Sequence, residues 1–260
     1  MTRRRWIADE VSGDTAVLVG EHAAHLARVL RAEIGQEFDI VAGSEVRRGT
    51  ITTISNFNSN TEDRIEFLLG KKIDLFSSKP AIPAVTLALS IFKFDRMEWA
   101  IEKCTEVGVA RIIPIIASRT DAHLASASAK RHERWQRIVR QASEQSRRMA
   151  PVEILPPIKL KALADTNVLP ADCLTRIVLA ETLAGSQDAR NMSDVLQACC
   201  NPDVVLAIGP EGGWTDEELA WFKKTGWQAA SLGDTILRAE TAAIVATALA
   251  LEALRNNKGN

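Results

Sequence analysis

Hydrophobic and polar positions change rhythm once along this chain. Through roughly the first seventy residues, apolar positions come in short runs: "TAVLVG" (15–20), "EFDIVAG" (37–43), "RGTITTIS" (48–55) and "RIEFLLG" (64–70). β-Branched residues inside these runs, with Gly or Asn between them, predict strands. Between the first two, "EHAAHLARVLRAEIG" (21–35) predicts a helix with Leu26, Val29 and Leu30 on one face and Gly35 as its stop. Mostly β with one helix implies a small barrel over residues 1–75. "FSSKPAIPA" (76–84), with two prolines and two serines, reads as a linker.

From Val85 strands alternate with helices. "VTLALSIF" predicts a buried strand, "FDRMEWAIEKCTEVG" a helix closed by Gly108, "RIIPII" a strand, and "AKRHERWQRIVRQASEQSRR" (129–148) a long helix. "VEILPP" and "RIVLAE" follow as strands and "NMSDVLQACC" as a helix. "DVVLAIG" is a strand, a helix runs from Thr215, "QAASLG" is a short strand, and a last helix runs from Glu240 to Leu254. Such alternation predicts an α/β domain over 84–257, with helices on both faces of a mainly parallel sheet.

Ligands of open α/β sheets bind where strands end at their carboxyl side. Three such ends stand out: "VLAET" (178–182), "IGPEGG" (208–213) and "SLGDTILRAETA" (231–242). Gly209, Gly212, Gly213 and Gly233 would let a ligand approach the backbone, and Pro210 would stiffen its turn. A glycine turn before a helix is the layout of a phosphate cradle. Here, however, it carries Glu211 and is followed by Asp216, Glu217 and Glu218, with no Lys or Arg between Arg190 and Lys223. That acidity argues against ATP or NAD and favours a phosphate-free, positively charged ligand with an adenine, such as S-adenosylmethionine. Further on, Thr241 or Glu240 would cap the last helix. Arg238, just before it, is either tied to a carboxylate such as Glu240 or aimed at substrate.

Charge and cysteine narrow the classes. The net charge is −1, but from Arg111 to Met149 nine Lys/Arg face three Asp/Glu, one basic region on a near-neutral chain. On the long helix Arg137, Arg140, Glu144 and Arg147 share one face at helical spacing, opposite Trp135, Ile138, Val139 and Ala142. That face is either solvated or a phosphate-backbone tract. Cys104, Cys173, Cys199 and Cys200 have no CxxC spacing and no nearby histidine pattern, so neither a metal nor a disulfide framework is expected. The basic opening residues lack an apolar stretch, and "TAAIVATALALEAL" is interrupted and too short to span a bilayer, so a cytoplasmic protein without membrane contact is expected.

At "HLARVLRAEIGQEFDIVAG", "FKFDRMEWAIEKCTEVGVARIIPIIASRT", "RWQRIVRQASEQSRR", "IGPEGGWTDEE" and "SLGDTILRAETAA" the chain resembles the ribosomal small-subunit methyltransferase E family. These are SPOUT, or trefoil-knotted, enzymes that methylate N3 of uridine 1498 in 16S ribosomal RNA. The resemblance implies a PUA-like RNA-binding β-barrel at 1–75, a knotted domain at 84–257, and a homodimer. It implies an S-adenosylmethionine pocket of Leu179, Ala180, Glu181, Gly209, Pro210, Glu211, Gly212, Gly213, Leu232, Gly233, Ile236 and Leu237. Arg238 would face the substrate; the base is open between Glu240, water and a group of the partner subunit. Arg28, Arg31, Arg119, Arg137, Arg140, Arg147 and Arg148 would contact the RNA. Three positions depart from the family pattern: Arg147 stands where glycine is common, Trp214 where Phe is usual, and Ala239 where Thr is commoner.

Overall fold

In the computed structural model, residues 4–55, 63–73, 84–165, 167–169, 174–180, 190–198 and 203–256 are described. The chain forms two compact units: Met1–Lys79 with Ser143–Pro151, and Pro80–Ala142 with Val152–Asn260.

Unit 1 is built on a six-stranded sheet. Its strands are β1 (Arg5–Ile7), β2 (Glu10–Ser12), β3 (Thr15–Val19), β4 (Glu37–Ala42), β5 (Glu45–Ser55) and β6 (Arg64–Lys72), in the order β1-β4-β5-β6-β3-β2. The sheet curls until its edges are bridged by neighbouring residues. Ala8 N donates to Val41 O on β4 (3.0 Å) and Asp9 N to Val17 O on β3 (2.9 Å). Bending β5 takes a register shift at Arg47/Gly49, where a Cβ on Gly49 would stand 2.5 Å from Ile40 Cγ1. Only glycine fits there. Trp6, Leu18, Leu26, Ile40, Ile51, Ile65 and Phe67 fill the inside of the curl.

The helix expected over 21–35 is shorter and irregular. An α-turn, α1 (Gly20–Ala24), passes into a π-turn at His25–Val29, and Arg31, at φ 51°, ends it. The wider π-turn rotates the apolar stripe. Leu26 stays buried, but Val29 and Leu30 turn outward, at 65% and 52% exposure.

Unit 2 holds β7 (Val85–Ser90), α2 (Phe94–Val107), β8 (Arg111–Ile116), α3 (Ala122–Gln145), β9 (Glu153–Ile154) and β10 (Ile158–Lys159). Then come β11 (Leu174–Leu179), β12 (Arg190–Asn191), α4 (Met192–Gln197), β13 (Asp203–Ile208), α5 (Asp216–Lys224), β14 (Gln228–Ser231) and α6 (Ala239–Asn256). The sheet runs β10-β8-β7-β13-β11-β14-β12, with β9 also on β8, and every pairing is parallel.

The period-two pattern is used on both faces. Val204, Leu206 and Ile208 of β13 pack toward α2, α4 and α6. Val205 and Ala207 pack toward Trp214, Phe222 and Trp227. Gly108, at φ 129°, closes α2 as its position predicts. The long helix begins seven residues earlier than expected and stops at Gln145, three short of residue 148. Its last turn groups with unit 1, so α3 serves two cores. Most of the linker over 76–84, and Cys173, Cys199 and Cys200, lie outside the described residues. Among the described residues no helix is long and apolar enough to cross a membrane, and no cluster of potential metal ligands occurs.

Candidate functional site

The strands β13, β11 and β14 are neighbours, so their carboxyl ends converge. There the structure holds a cavity of about 400 Å³. Leu179 and Ala180 after β11, Gly209 to Gly213 after β13, and Leu232, Gly233, Ile236 and Leu237 after β14 all line it. Glu181 lies outside the described residues. Gly213 (φ 69°) and Gly233 (φ 116°) hold backbone shapes that side chains disfavour. A Cβ on Gly209 would stand 3.2 Å from the Trp214 indole nitrogen. Ile236, 75% exposed, stands at the lip.

The sequence missed the two residues that lock the glycine loop. Trp214 donates its indole N–H to Leu179 O (2.9 Å), tying the loop to the end of β11. A phenyl ring at that position could not. Arg119 Nη1 donates to Gly212 O (2.8 Å) and Trp214 O (3.1 Å). Arg119 therefore sits on the cavity wall and clamps the glycine loop.

The acidic run is also spent differently. Thr215 caps α5 in a reciprocal box, with Glu218 N donating to Thr215 Oγ1 (3.2 Å) and Thr215 N to Glu218 Oε2 (2.9 Å). Ser118 N donates to Glu218 Oε1 (2.7 Å). The helix N-terminus is thus occupied by the chain's own carboxylate and offers no open phosphate site. Of the acids in this loop and helix, Glu211 alone lines the cavity.

Neither Thr241 nor Glu240 caps α6. Ala242 N donates to Arg238 O (2.8 Å), which puts both residues in the first turn. The alternatives for Arg238 are separated here. Arg238 is exposed on the cavity rim and makes no ion pair among the described residues, whereas Glu240 Oε1 faces Arg96 Nη1 at 3.8 Å. Glu240 is buried and does not itself line the cavity. Arg96, in the first turn of α2, also meets Glu211 Oε1 at 3.3 Å. No motif singled it out, because an Asp-Arg pair opening a helix looks like any solvated turn. Cys104 is sealed between α2 and α6, where burial pushes its thiol up to about 12, so it offers no nucleophile.

The expected arginine face of α3 does not form as drawn. Glu144 is fully buried in unit 1, where the Arg4 guanidinium, His22 Nδ1 (3.2 Å) and Ile7 N (3.2 Å) surround its carboxylate. Arg147 lies past the helix end at φ 60°, its carbonyl accepting from Arg5 Nη1 (2.8 Å). That left-handed backbone is one that glycine adopts without strain. Arg137 is exposed and Arg140 half-buried, whereas burial pulls Arg148 below the ordinary arginine range. In unit 1, Arg28 faces Asp63 at 3.4 Å and Arg31 is exposed.

Fold and site together define an RNA methyltransferase: residues 79–251 match the family of RNA methyltransferase domains. A Synechocystis sp. protein named Ribosomal RNA small subunit methyltransferase E is 31% identical over 92% of this chain and 74% of its own length. Its namesake from Mycobacterium bovis is 31% identical over 90% of this chain and 85% of its own. The crystal structure of a Ribosomal RNA small subunit methyltransferase E from Neisseria gonorrhoeae bound to S-adenosyl methionine matches with a TM-score of 0.74 at 29% identity, covering 95% of each chain. A Legionella pneumophila structure with bound SAM matches at TM-score 0.78 and 27% identity, over 98% of this chain and 97% of the other. The chain belongs to the ribosomal RNA small subunit methyltransferase E family.

Proposed function

We propose that this protein transfers a methyl group from S-adenosylmethionine to N3 of a uridine, uridine 1498, in 16S ribosomal RNA of the small subunit. The observation that carries the reading is the pairing of a backbone-lined cavity with an exposed arginine on its rim, Arg238, which makes no ion pair among the described residues. The lining suits the cofactor. Glycine backbone can approach an adenine closely, Glu211 complements positive charge, and the capped α5 removes the attraction for phosphate.

Bound there, S-adenosylmethionine supplies an electrophilic methyl group. The protein's own task is alignment and charge. Uracil N3 becomes nucleophilic only as its proton leaves, here to solvent water, and the negative charge then spreads over O2 and O4. The Arg238 guanidinium offers a planar donor pair for those oxygens. The glycine loops would hold the cofactor, whose methyl group N3 must approach in line. No covalent cysteine step is needed.

Several further parts of the reading come from the family. The curled sheet of unit 1 acts as a PUA-like RNA-binding barrel, with Arg28, Arg31, Arg147 and Arg148 meeting phosphates, and in unit 2 Arg119, Arg137 and Arg140 are the RNA contacts. Unit 2 threads as a trefoil knot, supported by the placement of β14 between β11 and β12, two strands consecutive in sequence. The working form is a cytoplasmic homodimer, for which Trp99 on α2 and Leu249 on α6 offer exposed apolar surface.

The test is methyl transfer to assembled small subunits and to naked 16S RNA, read by nucleoside mass spectrometry. 3-Methyluridine at the single expected position supports the reading. A methyl group on ribose or on another base would place the chain elsewhere among RNA methyltransferases. Absence of S-adenosylmethionine binding by calorimetry would leave a non-catalytic RNA-binding protein.

A further inference from the structure

The cavity wall contains a charge arrangement that the reaction just described does not use. One cation is shared by two carboxylates from separate elements. Arg96 Nη1, in the first turn of α2, stands 3.3 Å from Glu211 Oε1 in the glycine loop and 3.8 Å from Glu240 Oε1 in the first turn of α6. The two acids differ in surroundings. The Glu211 side chain is 42% exposed at the cavity, while that of Glu240 is 9% exposed. The second Glu240 oxygen, Oε2, is buried without a hydrogen-bond partner.

A buried carboxylate needs close compensation, because desolvation penalises it far more than an acid in water. Arg96 lies nearer the carboxylate that needs it less. A ligand that brings its own positive charge to Glu211 removes the reason for that compromise. Arg96 is then free to close on Glu240, two residues from Arg238.

We propose that Arg96 is a positioning residue that S-adenosylmethionine displaces from Glu211 onto Glu240, fixing the first turn of α6 and with it the placement of Arg238. This rests on the proposed cofactor and assigns a sequence of events to the site: cofactor first, then a properly set Arg238. A positively charged ligand drives the exchange, whereas the neutral-sulfur product drives it less. The arrangement therefore favours an aligned Arg238 only while a methyl group is available to transfer.

The test combines calorimetry with amide hydrogen exchange on the full-length protein, using S-adenosylmethionine as the probe. In the wild type, cofactor should slow exchange in residues 239–243. In Arg96→Gln the cofactor should bind as tightly or up to about fivefold more tightly, since one half-exposed competitor for Glu211 has gone. The protection of 239–243 should nevertheless be lost, and kcat should fall while KM for the cofactor does not rise. Arg96→Lys keeps the charge and should restore part of the protection. Glu240→Gln should uncouple α6 in the same way and weaken cofactor binding a few-fold, since the displaced Arg96 then has no second carboxylate to move to.

Weaker cofactor binding in Arg96→Gln would make Arg96 a direct ligand contact and overturn the exchange. Full protection of 239–243 in that variant would overturn it as well. If the wild type binds no S-adenosylmethionine, the proposed function itself fails, an outcome distinct from either of these.

Discussion

Arg238 and Arg147 show what single positions reveal in sequence and what they withhold. Arg238 stood out because it is a lone cation before an apolar helix, but whether it served Glu240 or a substrate could not be read there. Its freedom depends on Arg96 lying near Glu240 from 144 residues away, a contact without local signature. Since Arg238 holds no ion pair among the described residues, Arg238→Lys should leave the melting temperature and cofactor affinity unchanged. Turnover should fall about a hundredfold or more, the scale of losing an oriented donor to a developing oxyanion. A lowered melting temperature with normal turnover per folded molecule would return Arg238 to a structural role. Arg147 is the reverse case, an oddity in sequence that the backbone explains. At φ 60° a side chain costs about 1 kcal/mol relative to glycine, so Arg147→Gly should raise the denaturation midpoint slightly. If RNA binding weakens at the same time, the arginine is kept for its charge despite the strain.

Among the elements, periodicity served best where sheet and helix are regular. The strand ends after β11, β13 and β14 were legible because glycine and proline punctuate them, and those loops meet at one cavity. What misled was reading charge without partners. Asp216, Glu217 and Glu218 look like a phosphate-repelling tract, yet Glu218 is buried and closes α5 against Thr215 while accepting from Ser118 N. Glu218→Ala should therefore cost about 2 kcal/mol or more, the sum of a lost cap and a buried amide left unpaired, measured by denaturant unfolding. A surface acid would cost almost nothing. The cations of α3 are similarly divided. Arg131 and Arg134 both hold Glu98, at 3.3 and 2.8 Å, while Arg137 stands exposed one turn on from Arg134. Replacing Arg137 and Arg140 together by Gln should weaken RNA binding and reduce the slope of log affinity against log salt by about 1 to 2. An unchanged slope would make this stretch an ordinary solvated face. The π-turn at His25–Val29 was beyond a 3.6-residue reading, since the same apolar spacing fits a regular helix until Arg31 reverses the backbone.

At the scale of the whole chain, the boundary near residues 75–84 could be placed from composition, but the return of Ser143–Pro151 to unit 1 could not. Within unit 1 the returning segment is held by Arg5 on the Arg147 carbonyl, by Met149 against Ile7, Val41 and Val46, and by Glu144. Glu144 ends α3 buried in unit 1, with Arg4, His22 and Ile7 N around it, and the pairing joins residues 140 positions apart. In sequence Glu144 was one acid among arginines, on a helix face that read as either solvated or a phosphate-backbone tract. Burial alone would push its carboxyl up, but the His22 ring and the Arg4 guanidinium outweigh that and hold it below the ordinary carboxylate range. A carboxyl depressed in the folded state contributes stability that is present above its unfolded value, near 4.5, and is lost as pH falls through the lower folded value. His25 acts in the same direction at milder acidity. Burial first, then the charges of Arg4 and His22, lower its affinity for a proton, so the contribution it makes above its ordinary value of 6.5 declines as pH drops through the lowered one. Unit 1 should therefore lose stability in two acid steps, a shallow one below pH 6.5 and a deeper one below 4.5. Glu144→Gln should destabilise unit 1 by about 3 kcal/mol or more at neutral pH, because Arg4 is left without its buried partner. It should also flatten the deeper step and enlarge the shallow one, because Glu144 opposes the lowering of His25 and its loss leaves that proton affinity lower still. Following unfolding by the fluorescence of Trp6 across pH 3–8 separates the two, since that indole is buried in unit 1 beneath the Arg4 guanidinium. An acid limb unchanged in Glu144→Gln would mean that other carboxylates hold the last turn of α3 in place.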